Sequence, residues 1–238
     1  MKIGVVQMKI SNKIDNNILK IVNFLKKAKV DEVDLVCFPE MALTGYNVQF
    51  LKSIDMNDKI LFALDEISKL VSKYSVCCII GHPFYEGKEL KNRASILFPD
   101  GRYEKYDKLY PTEIEKKIFS EGKGPLVFEY KQKRFGIAIC RDQNFYNIFK
   151  EYKDRGCDGV FILAAHYYSP NEARWKIDKN RSIPIARAVE NEYYVFLANA
   201  TGAHFNMISL GHSLIVDKRG CIVCEADEAG EHLLTAEI

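Results

Sequence analysis

The stretch Arg134-Phe-Gly-Ile-Ala-Ile-Cys-Arg-Asp142 is a short apolar run, rich in β-branched residues, that stops at Cys140 and turns at once to charge. Such a run reads as a buried strand with a thiol at its end. A side chain at the C-terminal edge of a buried strand is held by a rigid sheet yet faces a crevice, where open α/β sheets usually place ligands and chemistry. Cys140 is therefore a candidate nucleophile. The plainer reading is a small core residue, since free cysteine is among the most buried types, and only partners decide between the two.

Working outward, the same ending recurs. Asp34-Leu-Val-Cys-Phe38 is a second short strand, stopped by Pro39, so Glu40 also arrives at a strand's end. Extended runs over 92–98 and 102–108, joined by the turn Pro99-Asp100-Gly101, form a hairpin whose second arm ends on Lys108. The remaining strands are predicted at the N-terminus to Gln7, over 76–81, 126–130, 159–163 and 194–198, and as a terminal set ending at 233–238. Apolar positions at helical spacing predict helices over 14–28 and 58–74, another covers 147–155, and one ends near Glu190. The segment 109–124 is polar and irregular, as befits a functional loop. Helices alternate with strands without repeats or Gly/Pro/Ser-rich linkers, which predicts a single mixed α/β domain over residues 1–238.

The chain's 238 residues suffice for one large core, and 47% hydrophobic with 28% charged residues describes an ordinary globular protein. A formal net charge of +2, with lysines scattered among acids, argues against nucleic acid as a partner. The first residues are too short and wrongly flanked for a signal peptide, and no apolar stretch reaches membrane-spanning length, so a cytoplasmic protein without a membrane partner is expected. Seven cysteines without a framework spacing fit reduced thiols.

Singly, Glu40 reads as a surface carboxylate or helix cap and Lys108 as a solvated lysine. Together, the phrases Phe38-Pro-Glu40, Tyr106-Asp-Lys108 and Ile139-Cys-Arg-Asp142 place a carboxylate, an ammonium and a thiol at strand ends. In that order and at those separations the chain resembles the nitrilase, or carbon-nitrogen hydrolase, superfamily. Asn92, Arg187-Ala-Val-Glu-Asn191, Asn199 and Gly211-His-Ser213 extend the resemblance over essentially the whole chain. It implies a four-layer α-β-β-α sandwich, Glu40 as general base, Cys140 as nucleophile, and Lys108 as a fixed positive charge. Lys108 and the backbone N–H of Arg141 would stabilise the oxyanion formed when the thiol attacks a carbonyl. No cofactor and no metal is required. The resemblance also implies a second acid that orients the lysine, which the spacing assigns to Glu115, with Glu113 as its rival. A homodimer or larger homo-oligomer through the helical layer near the nucleophile is implied as well.

Many members of the superfamily continue after the nucleophile with a Phe-Pro-Glu element, where this chain reads Asp142-Gln-Asn-Phe145-Tyr146-Asn147. Substrate assignment by analogy is weakened there. Tyr46, Tyr146 and His166 are expected to shape the pocket. Cys221-Ile-Val-Cys224 is a C-x-x-C, but residues three apart in a strand face opposite ways and no second pair accompanies it. Cys37, Cys77, Cys78 and Cys157 sit in or beside apolar runs as structural residues. The rival mechanism pairs Cys140 with His166 or His204 in a papain-like arrangement, without a local signature to support it. The expected reaction is hydrolysis of a small linear amide or N-carbamoyl (ureido) compound through a thioester. Nitrile hydrolysis and a catalytically idle scaffold are the alternatives.

Overall fold

Along β1 (Lys2–Lys9) alternate residues face opposite ways: Ile3 and Val5 enter one apolar core, Val6 and Met8 another. The same split runs through β2 (Leu35–Cys37) and β3 (Cys77–Glu86), and in mirror fashion through β7 (Lys133–Ile139), β8 (Gly159–Ala164) and β9 (Tyr194–His204). Strands buried on both faces read as continuous apolar runs, which is why these segments lack polar alternation. The computed structural model describes residues 1–51, 53 and 55–238, apart from the side chains of Val48 and Gln49.

Three cores separate four layers. Helices α1 (Ile14–Val30) and α3 (Met56–Tyr74), the latter preceded by the short α2 (Val48–Leu51), cover the first sheet with Ile21, Leu25, Ile60 and Ile67 against Val36, Phe38 and Ile80. The middle core packs Leu35, Ile79 and Ile96 of the first sheet on Phe135, Phe161 and Phe196 of the second. Helices α4 (Tyr146–Asp154) and α6 (Ile177–Asn191), with the short α5 (Pro170–Trp175) between them in sequence, close the far side through Phe149, Tyr152 and Ala188. The fold is the four-layer α-β-β-α sandwich expected.

The strands form one path, β5-β4-β3-β2-β1-β9-β8-β7-β6, with β4 (Glu89–Leu97), β5 (Tyr103–Asp107) and β6 (Val127–Tyr130) towards its ends. The two sheets meet where β1 pairs with β9 at Met8↔Ala200 and Lys9↔Thr201. Further strands complete them: β10 (Met207–Leu210) and β11 (Leu214–Val216) on β9, β12 (Ile222–Glu225) on β11, and β13 (His232–Glu237) on β1. In the first sheet β1, β2 and β3 are parallel, and two antiparallel steps make β5 run with them. In the second, β7, β8 and β9 are parallel.

The structure lengthens two predicted strands. β3 runs through His82-Pro83 to Glu86, five residues beyond the predicted end, paired with β4 throughout. Pro83 is tolerated because β2 pairs with β3 only up to Ile79 in the recorded register, so its missing N–H faces no ladder on that side. β9 continues past Ala198 to His204 and turns into β10. Among the described residues no helix is long and apolar enough to cross a membrane.

Candidate active site

Parallel strands bring their C-terminal ends to one edge. β2 stops because Pro39 has no N–H to donate, and the chain turns over Glu40 and Met41, the latter at φ +53°. The turn lies flat on β3 at Gly81, where a Cβ would come within 2.6 Å of the Pro39 carbonyl and 2.8 Å of the Glu40 Cα. β5 delivers Lys108, whose backbone N–H donates to the Asn92 carbonyl of β4 at 2.9 Å. β7 delivers Cys140, held at φ +48° at the start of the 3-10 turn Cys140–Asn144. A left-handed non-glycine residue at a strand-to-helix turn is strained, and such strain gathers at functional sites.

Glu40 and Lys108 are 1% and 2% exposed. Lys108 Nζ donates to Glu40 Oε1 at 2.8 Å and to Glu115 Oε1 and Oε2 at 2.8 and 2.9 Å. Asn92 Nδ2 donates to Glu40 Oε1 at 2.7 Å, and the backbone N–H of Ala165, just past β8, donates to Glu40 Oε2 at 3.1 Å. Glu115 opens the 3-10 turn Glu115–Lys117 and accepts further from the Thr112 N–H at 2.8 Å and the Tyr46 hydroxyl at 3.1 Å. Glu113 is exposed and pairs instead with Lys116 and Arg141. Of the two acids in that loop, Glu115 is the one beside the lysine.

Glu40, Lys108, Glu115 and Cys140 line one cavity of about 660 Å³, with Tyr46, Arg141 and His166 on its walls. Burial opposes charge on Lys108, but Glu40 and then Cys140 and Glu115 outweigh it and hold the ammonium well above its usual range. Burial, followed by the Glu40 carboxylate, pushes the Cys140 thiol up, while Lys108 and the Ala165 N–H pull the other way. The resting sulfur is thus a thiol beside a fixed cation. Burial would raise the Glu115 carboxyl, yet Lys108 and the Thr112 N–H bring it below its usual value.

Asp142 is a residue whose part was not legible in the sequence. Fully buried, it accepts from Ile139 N at 2.9 Å, Tyr110 N at 2.8 Å and the Tyr106 hydroxyl at 2.7 Å. It therefore ties the turn carrying Cys140 to the strand and loop on either side of Lys108. The Arg141 side chain donates to the Pro111 carbonyl at 2.8 Å, and its main-chain N–H belongs to the first N–H groups of a 3-10 turn, which have no intrahelical acceptor.

Tyr146 departs from expectation. It opens α4, is exposed beneath the Arg187 guanidinium, and is not among the cavity-lining residues; Gln143 and Asn144 line the cavity instead. The chain turns outward because Phe145 stacks on Tyr110 with ring centroids 3.7 Å apart. His166 faces Gln143 through Nε2 at 2.9 Å, and burial, with Lys179 and Lys108 adding to it, pushes its pKa down to about 3. Its main-chain N–H reaches Asn199 Oδ1 at 3.0 Å, and Asn199 is fixed in turn by Gly211 and Ser213. Cys221 is exposed, while Cys224 is half-buried with its Sγ towards the Thr235 carbonyl.

A family model described as carbon-nitrogen hydrolase matches residues 2–238. The chain belongs to the carbon-nitrogen hydrolase family. This carbon-nitrogen hydrolase is 24% identical over 238 residues to the omega-amidase NIT2 of Homo sapiens, an alignment covering 94% of this chain and 84% of that one. It is 28% identical over 232 residues to a nitrilase of Pyrococcus abyssi, covering 94% and 84%. Among solved structures, a glutamate-to-glutamine variant of the amidase from Nesterenkonia sp. AN1 superposes with a TM-score of 0.88 at 20% identity, over 100% of this chain and 90% of that one. That structure shows covalent addition of the acetamide moiety of fluoroacetamide at the active-site cysteine. At such identity the likeness speaks for the fold.

Proposed function

We propose that the protein hydrolyses a small linear amide or N-carbamoyl compound, with Cys140 as nucleophile, Glu40 as general base and acid, and Lys108 as electrostatic support. The observation that carries this reading is the buried Lys108 ammonium clasped between Glu40 and Glu115 in the cavity that Cys140 lines. Glu40 takes the thiol proton as sulfur bonds to the carbonyl carbon, since the thiol is not already ionised. Charge then develops on the carbonyl oxygen, and Lys108 and the Arg141 N–H stabilise it in this scheme. Collapse breaks the carbon–nitrogen bond as Glu40 returns the proton to nitrogen. Water, deprotonated by Glu40, cleaves the thioester to the acid and the free thiol.

Glu115 positions Lys108 rather than touching substrate in this scheme. The covalent addition at the active-site cysteine of the Nesterenkonia amidase supports a nucleophilic sulfur at Cys140. Of the two histidines in the papain-like alternative, His166, held near pKa 3 and engaged by Gln143, is a poor base at neutral pH. A homodimer or larger homo-oligomer through the layer of α4 and α6 belongs to the same reading.

The test is turnover on a panel of linear amides, N-carbamoyl amino acids and nitriles. Ammonia release from amides or ureido compounds that disappears in Cys140→Ala and Glu40→Gln, and persists in His166→Ala, is the expected result. Turnover confined to nitriles would replace the amide assignment. Loss in His166→Ala with Glu40→Gln active would favour the histidine mechanism, and silence on all three classes would favour a scaffold.

A further inference from the structure

Four apolar side chains stand at the mouth of the cavity. Ile114 and Ile118 flank the 3-10 turn that carries Glu115, and Phe205 and Met207 lie at the β9–β10 turn. They are 75%, 43%, 70% and 43% exposed. Phe205 is the least explicable as packing. The His204↔Met207 pair leaves Phe205-Asn206 as a two-residue hairpin turn, and Phe205 sits there at φ +51°. Such turns favour Asn, Asp or Gly, whereas a bulky aromatic in the left-handed region is strained and here leaves its ring in water. Its edge contact with His204, ring centroids 4.6 Å apart, leads to Tyr167, 5.2 Å further on. Both of those residues line the cavity. A strained position that also exposes apolar surface points to a use outside folding.

At the other end the carboxylate lies deep in the fold. Glu40, which must hand a proton to the departing nitrogen, is 1% exposed, with Oε1 taken by Asn92 and Lys108 and Oε2 by Ala165. A nitrogen must come deep into the cavity to reach it, so a small leaving group suits the buried end and the bulk of the substrate suits the exposed rim. A two-carbon amide needs on the order of 100 Å³, at about 30 Å³ per water-sized group, which leaves most of the 660 Å³ unfilled.

We propose that the substrate is a primary amide with an extended apolar acyl arm, an alkyl chain of several carbons or an aryl-alkyl group, that leaves the cavity between Ile114/Ile118 and Phe205/Met207. The inference rests on the amide-cleaving reading of Cys140, Glu40 and Lys108 and names the substrate class for that site. The arm covers apolar surface that is otherwise hydrated, and each methylene that reaches the walls improves capture by about fourfold.

Ammonia release from acetamide, butanamide, hexanamide, octanamide and 4-phenylbutanamide, together with 5-carboxypentanamide, tests this in the wild-type protein and in Phe205→Asn/Ile114→Ser. Both replaced side chains are exposed, and asparagine suits the turn, so thermal melting should show the variant folded. From acetamide to hexanamide, kcat/KM should rise on the order of 100-fold, mainly through KM, and the variant should lose about tenfold of that gain. A flat or falling series with acetamide still hydrolysed overturns the proposal and leaves the amide reading intact. So does a 5-carboxypentanamide preferred over hexanamide, which would assign the far end to an anion met by Lys179, another cavity-lining residue. An unchanged series in a variant that dissociates a wild-type oligomer by light scattering assigns the apolar rim to a second copy of the chain. Failure of the wild-type protein on every amide, with Cys140 unmodified, sinks the underlying reading itself.

Discussion

Lys108 donates to two carboxylates while nearly out of contact with water, which suits the electrostatic role proposed for it. An ammonium held above its usual range is no base at neutral pH; it is a fixed charge beside a thiol. Neutralising one of its partners leaves the cation buried and half-compensated. Glu115→Gln should therefore lower kcat by roughly 10- to 100-fold, with a smaller change in KM, because in the proposed scheme it positions Lys108 and leaves Cys140 untouched. Steady-state kinetics on a turned-over amide checks it, and an equal loss in KM alone would contradict it. Asp142→Asn strikes the same set from the other side, since Oδ1 accepts from Tyr110 and Oδ2 from Ile139 and Tyr106, and an amide leaves one of these sets facing an NH2 group. A loss of about 2–4 kcal/mol in denaturant unfolding is expected, as buried donors left unpaired cost about 1–3 kcal/mol each. At this scale the chain was legible where chemistry and strand ends coincide, as at Glu40, Lys108 and Cys140. Asp142 was not, because its partners Tyr106 and Tyr110 are brought to it by pairing between distant segments. Tyr146 was misplaced because a stacking contact, Phe145 on Tyr110, turns the chain away from the cavity.

At the scale of elements, two glycines set how near the backbone at Glu40 and at Lys108 lies to its neighbours. Gly81 lets the Glu40 turn rest on β3, and Gly122, whose N–H donates to the Lys108 carbonyl at 2.8 Å, lies against the Asp107 carbonyl where a Cβ would clash. Gly81→Ala must push the backbone at Pro39–Met41 away, shifting the Glu40 carboxylate relative to Lys108. Misplacement on the order of 1 Å can cost about 100-fold in rate, so kcat should fall by that order; an unimpaired variant with a native melting temperature would contradict this placement. Strand and helix identities followed from periodicity and turn residues, as in α1, α3 and the β4–β5 hairpin. What periodicity missed was the length of β3, since Pro83 reads as a terminator unless one knows that β2 has already ended beside it.

For the whole molecule, the layering was legible only as α/β from the residues, because an apolar run says that both faces are covered and not by what. The three separate cores supply that answer. Of the buried histidines His82, His166 and His204, all with lowered pKa, folding shifts His82 and His166 furthest. Burial, eased by the Pro83 carbonyl, brings His82 down to about 4, and burial with Lys179 and Lys108 brings His166 to about 3. Both lie below the unfolded value of about 6.5, so the unfolded chain takes up protons that the native state refuses. Their contribution is intact above about pH 6.5 and is lost as pH falls towards 4, at up to about 1.4 kcal/mol per pH unit for each. Unfolding free energies measured at pH 7, 6 and 5 should show that slope, and His166→Asn should remove about half of it; a flat profile would contradict the buried neutral state.

The central claim is that a thiol, a carboxylate and an ammonium act on one substrate carbon. Rapid acid quench of the protein turning over a primary amide, followed by peptide mass mapping, tests it most directly. The acyl mass is expected on the peptide containing Cys140 in the wild-type protein, with none in Cys140→Ala and far slower build-up in Glu40→Gln. Undiminished turnover in Cys140→Ala, or an acyl group that collects on a different cysteine, would contradict it.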